Sequence, residues 1–81
     1  KIVMQFPNLK KLERNFKIKN RILKLGGIVI WKDQHYTSIV RCNKEFLYFD
    51  DLKENVIKIG NFGELLKFPD IFTNGVLYFY F

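Results

Sequence analysis

The sequence predicts a mainly β fold, a twisted antiparallel sheet with one short helix near residues 63–68. Of the 81 residues, 48% are hydrophobic and 17% aromatic, which is the composition of a folded protein. Short apolar runs alternate with polar or glycine-containing breaks, a pattern typical of strands joined by turns. The single helical segment ends at Pro69, because proline is poorly tolerated inside a helix.

The first third of the chain allows two interpretations. Residues 1–6 predict a short strand that ends at Pro7. The apolar residues between 9 and 25 fit either one face of a helix or two short strands on either side of Lys19 and Asn20. We favour the two strands, because a family resemblance described below has extended chain at this point.

The next segment leads to the only histidine of the chain. Gly26 and Gly27 indicate a bend or a bulge. Residues 28–31 form a compact apolar run, which predicts a strand buried on both faces. Residues 32–34 then predict the turn that presents His35.

The C-terminal part adds two further strands. Residues 56–59 predict a strand and residues 60–61 a turn. The Asn-Gly pair at 74–75 is a strong turn signal. Residues 76–81, rich in aromatic side chains, predict the closing strand of the sheet.

A hairpin is predicted in the middle of the chain. Residues 36–40 and 46–49 are both strand-like, and a short polar break separates them. A hairpin brings the start of its first strand beside the end of its second strand. His35 stands at that start and Asp50 at that end, so we expect the imidazole and the carboxylate to meet.

The register of this hairpin selects between two carboxylates. If residues 43–44 form a two-residue loop, counting back along the strands pairs Thr37 with Asp50. His35 is then diagonal to Asp50, at a backbone separation of roughly 7–8 Å that long side chains can bridge. Asp51 would point to the other face, but a one-residue slip would exchange the two. We favour Asp50 and keep Asp51 as the alternative.

A histidine oriented by a carboxylate provides two of the three groups of a catalytic triad. The carboxylate fixes the tautomer, and the other ring nitrogen can take a proton from a serine or cysteine nucleophile. A lone histidine beside an aspartate is also a common surface pair. The residues alone therefore leave both interpretations open.

Composition limits the class of protein further. The chain has the length of a single domain or a fragment, and its start at Lys1 suggests a fragment or a processed product. No apolar run approaches about 20 residues, so we expect no membrane span. One cysteine, Cys42, excludes an internal disulfide framework and a cysteine-rich zinc site, and we expect no cofactor. An unpaired thiol favours a cytoplasmic or nuclear location.

From Gly27 onward, the chain resembles the C-terminal catalytic box of the ubiquitin-specific proteases, which are deubiquitinases on a papain-like fold. That family has an apolar strand, then Gly-His-Tyr-Thr, an aromatic strand ending in Phe-Asp-Asp, and a closing aromatic strand. The matching segments here are residues 28–31 (IVIW), 35–38 (HYTS), 46–51 (FLYFDD) and 76–80 (VLYFY).

The resemblance implies that residues 1–81 are the C-terminal sheet portion of an α+β cysteine protease. It makes His35 the catalytic base, and Asp50, or alternatively Asp51, the orienting carboxylate. Cleavage would follow the C-terminal glycine of ubiquitin or of a ubiquitin-like protein. Gln34 and Tyr36 would lie in the substrate cleft. Gln34 replaces the usual glycine, and its side chain would either narrow the passage for the substrate tail or add a hydrogen bond to it.

The nucleophile of that family lies in an upstream segment with Asn, Cys and Tyr, and nothing in this chain matches it. Cys42 is an odd number of residues from His35, so it faces the other side of a regular strand, roughly 23 Å away. The 81 residues alone should therefore be inert, and an upstream segment or a second chain should carry the thiol.

Two alternatives remain from other functional classes. The first is a catalytically inactive relative that binds ubiquitin or another protein, and the second is a basic β-sheet module that binds nucleic acid. The net charge of +6 and the aromatic side chains would suit base stacking on a sheet. We nevertheless favour a core role for the aromatic residues, because they cluster where the resemblance expects core strands, and nucleic acid is not the partner we expect.

Overall fold

The structure, a computed structural model, describes residues 2–4 (backbone only), 11–50, 52 and 56–81. In this part of the chain there are seven strands and two short helices. In chain order they are β1 (Ile2–Met4), β2 (Asn15–Ile18), β3 (Arg21–Lys32), β4 (His35–Cys42), β5 (Glu45–Asp50), β6 (Ile57–Gly60), α1 (Phe62–Leu65), α2 (Asp70–Thr73) and β7 (Gly75–Tyr80).

The strands form one antiparallel sheet in the order β1-β7-β3-β4-β5-β6, and β2 pairs with β3 outside this path. The last strand lies between the first strand and the long central strand β3. The predicted mainly β, antiparallel class is therefore confirmed. The strand β1 falls within the predicted strand at residues 1–6, and Pro7 lies outside the described residues.

Residues 15–32 form two strands rather than a helix. The turn between them is at Lys19 and Asn20, as the favoured interpretation expected. Against β7, the register of β3 shifts between Leu25 and Gly27, so Gly26 is the extra residue of a bulge. The strand prediction and the bulge are both confirmed.

The central hairpin has the predicted register. Thr37 lies opposite Asp50, and the two-residue loop at 43–44 joins the strands. The preceding turn, between β3 and β4, consists of Asp33 and Gln34 with φ angles of 52° and 64°. Positive φ at both central residues is the signature of the type I′ turn, whose twist matches that of an antiparallel pair.

One face of the sheet carries the core. Apolar side chains of the central strands are buried there together with one residue from each helix, Leu65 and Ile71. A four-residue helix is too short to be stable alone, so these two side chains hold the helices in place, each contributing about 1.5–3 kcal/mol on burial. The buried apolar residues are Leu12, Leu23, Leu25, Ile28, Ile30, Ile39, Phe46, Leu65, Ile71, Tyr78 and Tyr80.

The opposite face of the sheet is partly open, which corrects the prediction that residues 28–31 are buried on both sides. Ile28 and Ile30 are buried, but Val29 is half-buried and Trp31 is 41% exposed. No element among the described residues covers that face over Trp31, because both helices pack on the other side with Ile28 and Ile30.

The helical region also differs from the prediction. The helix α1 starts one residue earlier than predicted and ends at Leu65 instead of residue 68; the side chain of Asn61 caps it by accepting the amide of Glu64 at 3.0 Å. A second helix, α2, follows Pro69, which we had taken only as a stop. Proline is tolerated at a helix start because its missing N–H has no partner there.

Candidate active site

His35 and Asp50 meet at one end of the central hairpin. His35 is the first residue of β4 and Asp50 the last of β5, so the antiparallel pairing brings them to the same edge. The Nε2 atom of His35 lies 3.0 Å from Oδ1 of Asp50, which is hydrogen-bonding distance. The diagonal contact expected from the sequence is therefore present.

Burial makes this contact stronger than an ordinary surface pair. Asp50 is 9% exposed, and the side chain of His35 is 31% exposed. The backbone N–H of Leu52 also donates to Oδ1 of Asp50, at 3.0 Å. A carboxylate that is held by a backbone donor and screened from water can orient an imidazole firmly.

The geometry assigns a role to each ring nitrogen of His35. A carboxylate only accepts hydrogen bonds, so the contact with Asp50 places the proton of a neutral ring on Nε2. Nδ1 then has a free lone pair. Among the described residues it has no hydrogen-bond partner, and the ring can therefore accept a proton from another group at this atom.

A cleft of about 320 Å³ opens beside the pair. On its rim, Nζ of Lys32 lies 3.1 Å from Oδ1 of Asp70, a contact that ties β3 to α2. The hydrogen bond to Asp70 raises the pKa of Lys32, so this lysine stays charged. The lining residues are Ile30, Lys32, Asp33, His35, Thr37, Tyr48, Asp50, Leu52 and Asp70.

The structure separates the two residues that we expected in the substrate cleft. Gln34 is exposed in the turn directly before His35. Tyr36 projects from the opposite face of the sheet, where its ring lies 4.4 Å from the ring of Trp31, and it does not line the cleft. Neighbouring side chains of a strand point to opposite faces, so Tyr36 lies on the other side of the sheet from His35, and its role toward a substrate stays a prediction.

Two further residues were considered in the sequence analysis. Asp51, the alternative carboxylate, lies outside the described residues. Cys42 is an exposed free thiol at the far end of β4. Its strand position places it on the other face from His35, as expected from the sequence.

Sequence reasoning missed two contributors to the site. The amide of Leu52 follows the hairpin directly, and a carboxylate that bonds a backbone N–H two residues later is a familiar turn arrangement. The ion pair between Lys32 and Asp70 joins residues 38 positions apart. No pattern in the sequence signals it, because it depends on where α2 packs.

Comparisons with known proteins do not extend this description. The chain matches no protein-family model, no curated protein sequence and no solved structure. Within the described ranges, no three His, Cys, Asp or Glu side chains converge as a metal site would require. None of the described helices has the length and apolarity to span a membrane.

Proposed function

We propose that His35 and Asp50 form the base and orienting carboxylate of a cysteine-type hydrolase. It would cleave the isopeptide or peptide bond after the C-terminal glycine of ubiquitin or of a ubiquitin-like protein. The observation that supports this best is the contact of 3.0 Å between Nε2 of His35 and Oδ1 of Asp50. The resemblance of residues 27–81 to the ubiquitin-specific protease box supports the substrate class and the papain-like fold.

The chemistry would begin at Nδ1 of His35. This atom takes the proton of a cysteine thiol, and the resulting thiolate attacks the carbonyl carbon of the scissile bond. The imidazolium, held by Asp50, then gives its proton to the leaving amine. Water, activated by the same imidazole, hydrolyses the thioester and releases the ubiquitin C-terminus and the thiol.

The thiol would come from an upstream segment or a second chain. Cys42 is at the wrong end and on the wrong face of β4 to reach His35. We place the reaction in the cytoplasm or nucleus, where an exposed thiol such as Cys42 remains reduced.

Hydrolysis of a fluorogenic amide of ubiquitin by the intact gene product tests the proposal. His35→Ala should lower kcat by about 10³-fold or more, because the thiolate is no longer generated. Asp50→Asn should lower kcat by about 10²–10⁴-fold, because the ring loses its fixed tautomer. Cys42→Ser is the matched control and should leave kcat unchanged.

The same assay distinguishes the alternatives. Full activity of His35→Ala, or loss of activity in Cys42→Ser, would contradict the proposal. If the intact product binds ubiquitin saturably but cleaves no amide, it is the inactive binding relative rather than the enzyme.

A further inference from the structure

A second cavity lies at the end of the sheet opposite His35, and its polar lining is mostly cationic. It measures about 180 Å³. Four positively charged side chains surround it: Arg14, Lys24, Arg41 and Lys44. Arg41 is six positions along β4 from His35, so the two sites are roughly 20 Å apart.

The charges of this basic cavity are not compensated within the protein. None of the four cations forms an ion pair with another residue in the described part of the chain. The carboxylates next to them in sequence are already bound elsewhere: Glu13 lies 3.6 Å from Lys11, and Glu45 lies 3.0 Å from Lys58. Like charges that converge on a concave surface create a positive potential that attracts anions.

Backbone hydrogen bonds fix the chain segments that carry these cations. The carbonyl of Arg14 accepts the amide of Leu25 at 2.9 Å, which fixes Arg14 beside β3. The amide and carbonyl of Lys24 are both bonded to Phe81 at 2.9 Å. Arg41 is in the β4–β5 ladder, and Lys44 belongs to the tight turn that follows. Backbone pairing therefore fixes where Arg14, Lys24 and Arg41 lie relative to the sheet, and Lys44 follows in the two-residue turn.

The remaining lining suits a small phosphate-bearing ligand. The guanidinium of Arg14 lies 5.8 Å from the centre of the Phe62 ring, a cation–π contact that positions it from one side. Asn15 and Asn43 add side-chain amides that can donate to oxygen. With about 180 Å³, the cavity is smaller than the roughly 300 Å³ at which sites for drug-sized molecules begin. It can hold a phosphate or diphosphate group, but not a whole nucleotide.

We propose that this basic cavity binds the phosphate or diphosphate group of a small anionic ligand. Guanidinium and ammonium groups form charge-assisted hydrogen bonds to phosphate oxygens. The inference does not depend on the thiol chemistry at His35. Either proposal can fail while the other stands.

Titration of the 15N-labelled protein with inorganic pyrophosphate at low salt tests the site. We expect saturable shifts of the amide signals of residues 14–15, 24–25 and 41–46. If the natural ligand is the diphosphate group of a nucleotide, ADP should produce the same shifts as pyrophosphate. If the natural ligand is the free anion, pyrophosphate should produce the shifts and ADP should not. Sulfate, with less charge, should bind more weakly.

Two double variants with equal net charge distinguish specific binding in the cavity from non-specific attraction of anions to a basic protein. Lys24→Gln with Arg41→Gln removes two cations of the cavity and should weaken pyrophosphate binding about tenfold or more. Lys17→Gln with Arg21→Gln removes two exposed cations at the β2–β3 hairpin and should change affinity less than about twofold. An unchanged pattern of amide signals in each free variant confirms its fold.

Three results would overturn the inference. They are pyrophosphate shifts that never saturate, equal weakening in the two double variants, and saturable binding that the Lys24/Arg41 variant retains. Single-stranded oligonucleotide is the remaining probe. One outcome is that the oligonucleotide binds much more tightly than pyrophosphate and shifts the amide signals of residues on the open sheet face, such as Tyr36. That result would identify the sheet face as a nucleic-acid-binding surface and would contradict the proposed phosphate site.

Discussion

Gln34 holds a backbone conformation that glycine adopts more easily. Its φ of 64° lies in the left-handed region, where a side chain crowds the backbone at a cost of about 1–2 kcal/mol. Gln34→Gly should therefore stabilise the protein by about 0.5–1 kcal/mol, after the entropy that glycine costs on folding is subtracted. Urea unfolding followed by circular dichroism measures the change.

Lys44→Gly is the matched control for this prediction. Lys44 is also the second residue of a two-residue hairpin loop, but it has no positive φ. Glycine there relieves no strain and should destabilise by about 0.5–1 kcal/mol. A loss of stability in Gln34→Gly equal to that of the control would show that the turn is not strained at residue 34.

At the scale of elements, a buried hydrogen bond joins α2 to the closing strand. The hydroxyl of Tyr78 donates to the carbonyl of Ile71 at 2.5 Å, and both residues are fully buried. A Cβ atom at Gly75 would overlap both of these groups. Gly75→Ala should therefore lower the free energy of unfolding by about 1–3 kcal/mol, because the contact must open to make room.

Gly63→Ala provides the comparison, again by urea unfolding. A Cβ at residue 63 meets only the Asn61 side-chain oxygen at 3.3 Å, and alanine is the better helix former. We expect a change within about 1 kcal/mol of zero. If Gly75→Ala were as mild as this control, the hydrogen bond from Tyr78 would contribute little to the attachment of α2.

The strands and helices differ in how well the sequence predicts them. Alternation and loop length define a hairpin, so the pairing of Thr37 with Asp50 was predictable residue by residue. The second helix was not, because four residues after Pro69 carry no periodicity and the helix depends on burying Ile71. The same limit explains why the contact of His35 with Asp50 could be predicted, whereas the ion pair of Lys32 with Asp70 could not.

At the scale of the whole molecule, Tyr80 joins the closing strand to the segment that precedes β2. It is 1% exposed, and its hydroxyl donates to the carbonyl of Glu13, 67 residues away, at 2.6 Å. Burial, reinforced by the charge of Glu13, raises the pKa of Tyr80 to about 12 from 10.0. Ionisation of Tyr80 should therefore affect the stability of the whole fold.

The raised pKa of Tyr80 gives stability a defined pH dependence. Below pH 10 the residue is neutral in both states and its contribution to stability is fully present. Between pH 10 and about 12 the unfolded chain ionises first, so stability should fall by on the order of 2 kcal/mol. Urea unfolding at several pH values measures this.

Tyr80→Phe is the control for that titration. It loses the hydrogen bond to Glu13 and should be less stable at pH 8 by about 1 kcal/mol. Its stability should then fall less steeply above pH 10 than that of the wild type. Identical slopes for the two proteins would mean that Tyr80 ionises freely and is not buried as described.

The claim on which the proposed function depends is that Asp50 holds the Nε2–H of His35 and leaves Nδ1 free to accept a proton. A long-range 1H–15N correlation spectrum, recorded at a pH where the ring is neutral, measures the tautomer directly. We expect the Nε2–H form to dominate in the wild type, and Asp50→Ala to yield a mixture of both forms. A wild-type ring that carries its proton on Nδ1, or a spectrum that Asp50→Ala leaves unchanged, would contradict the account.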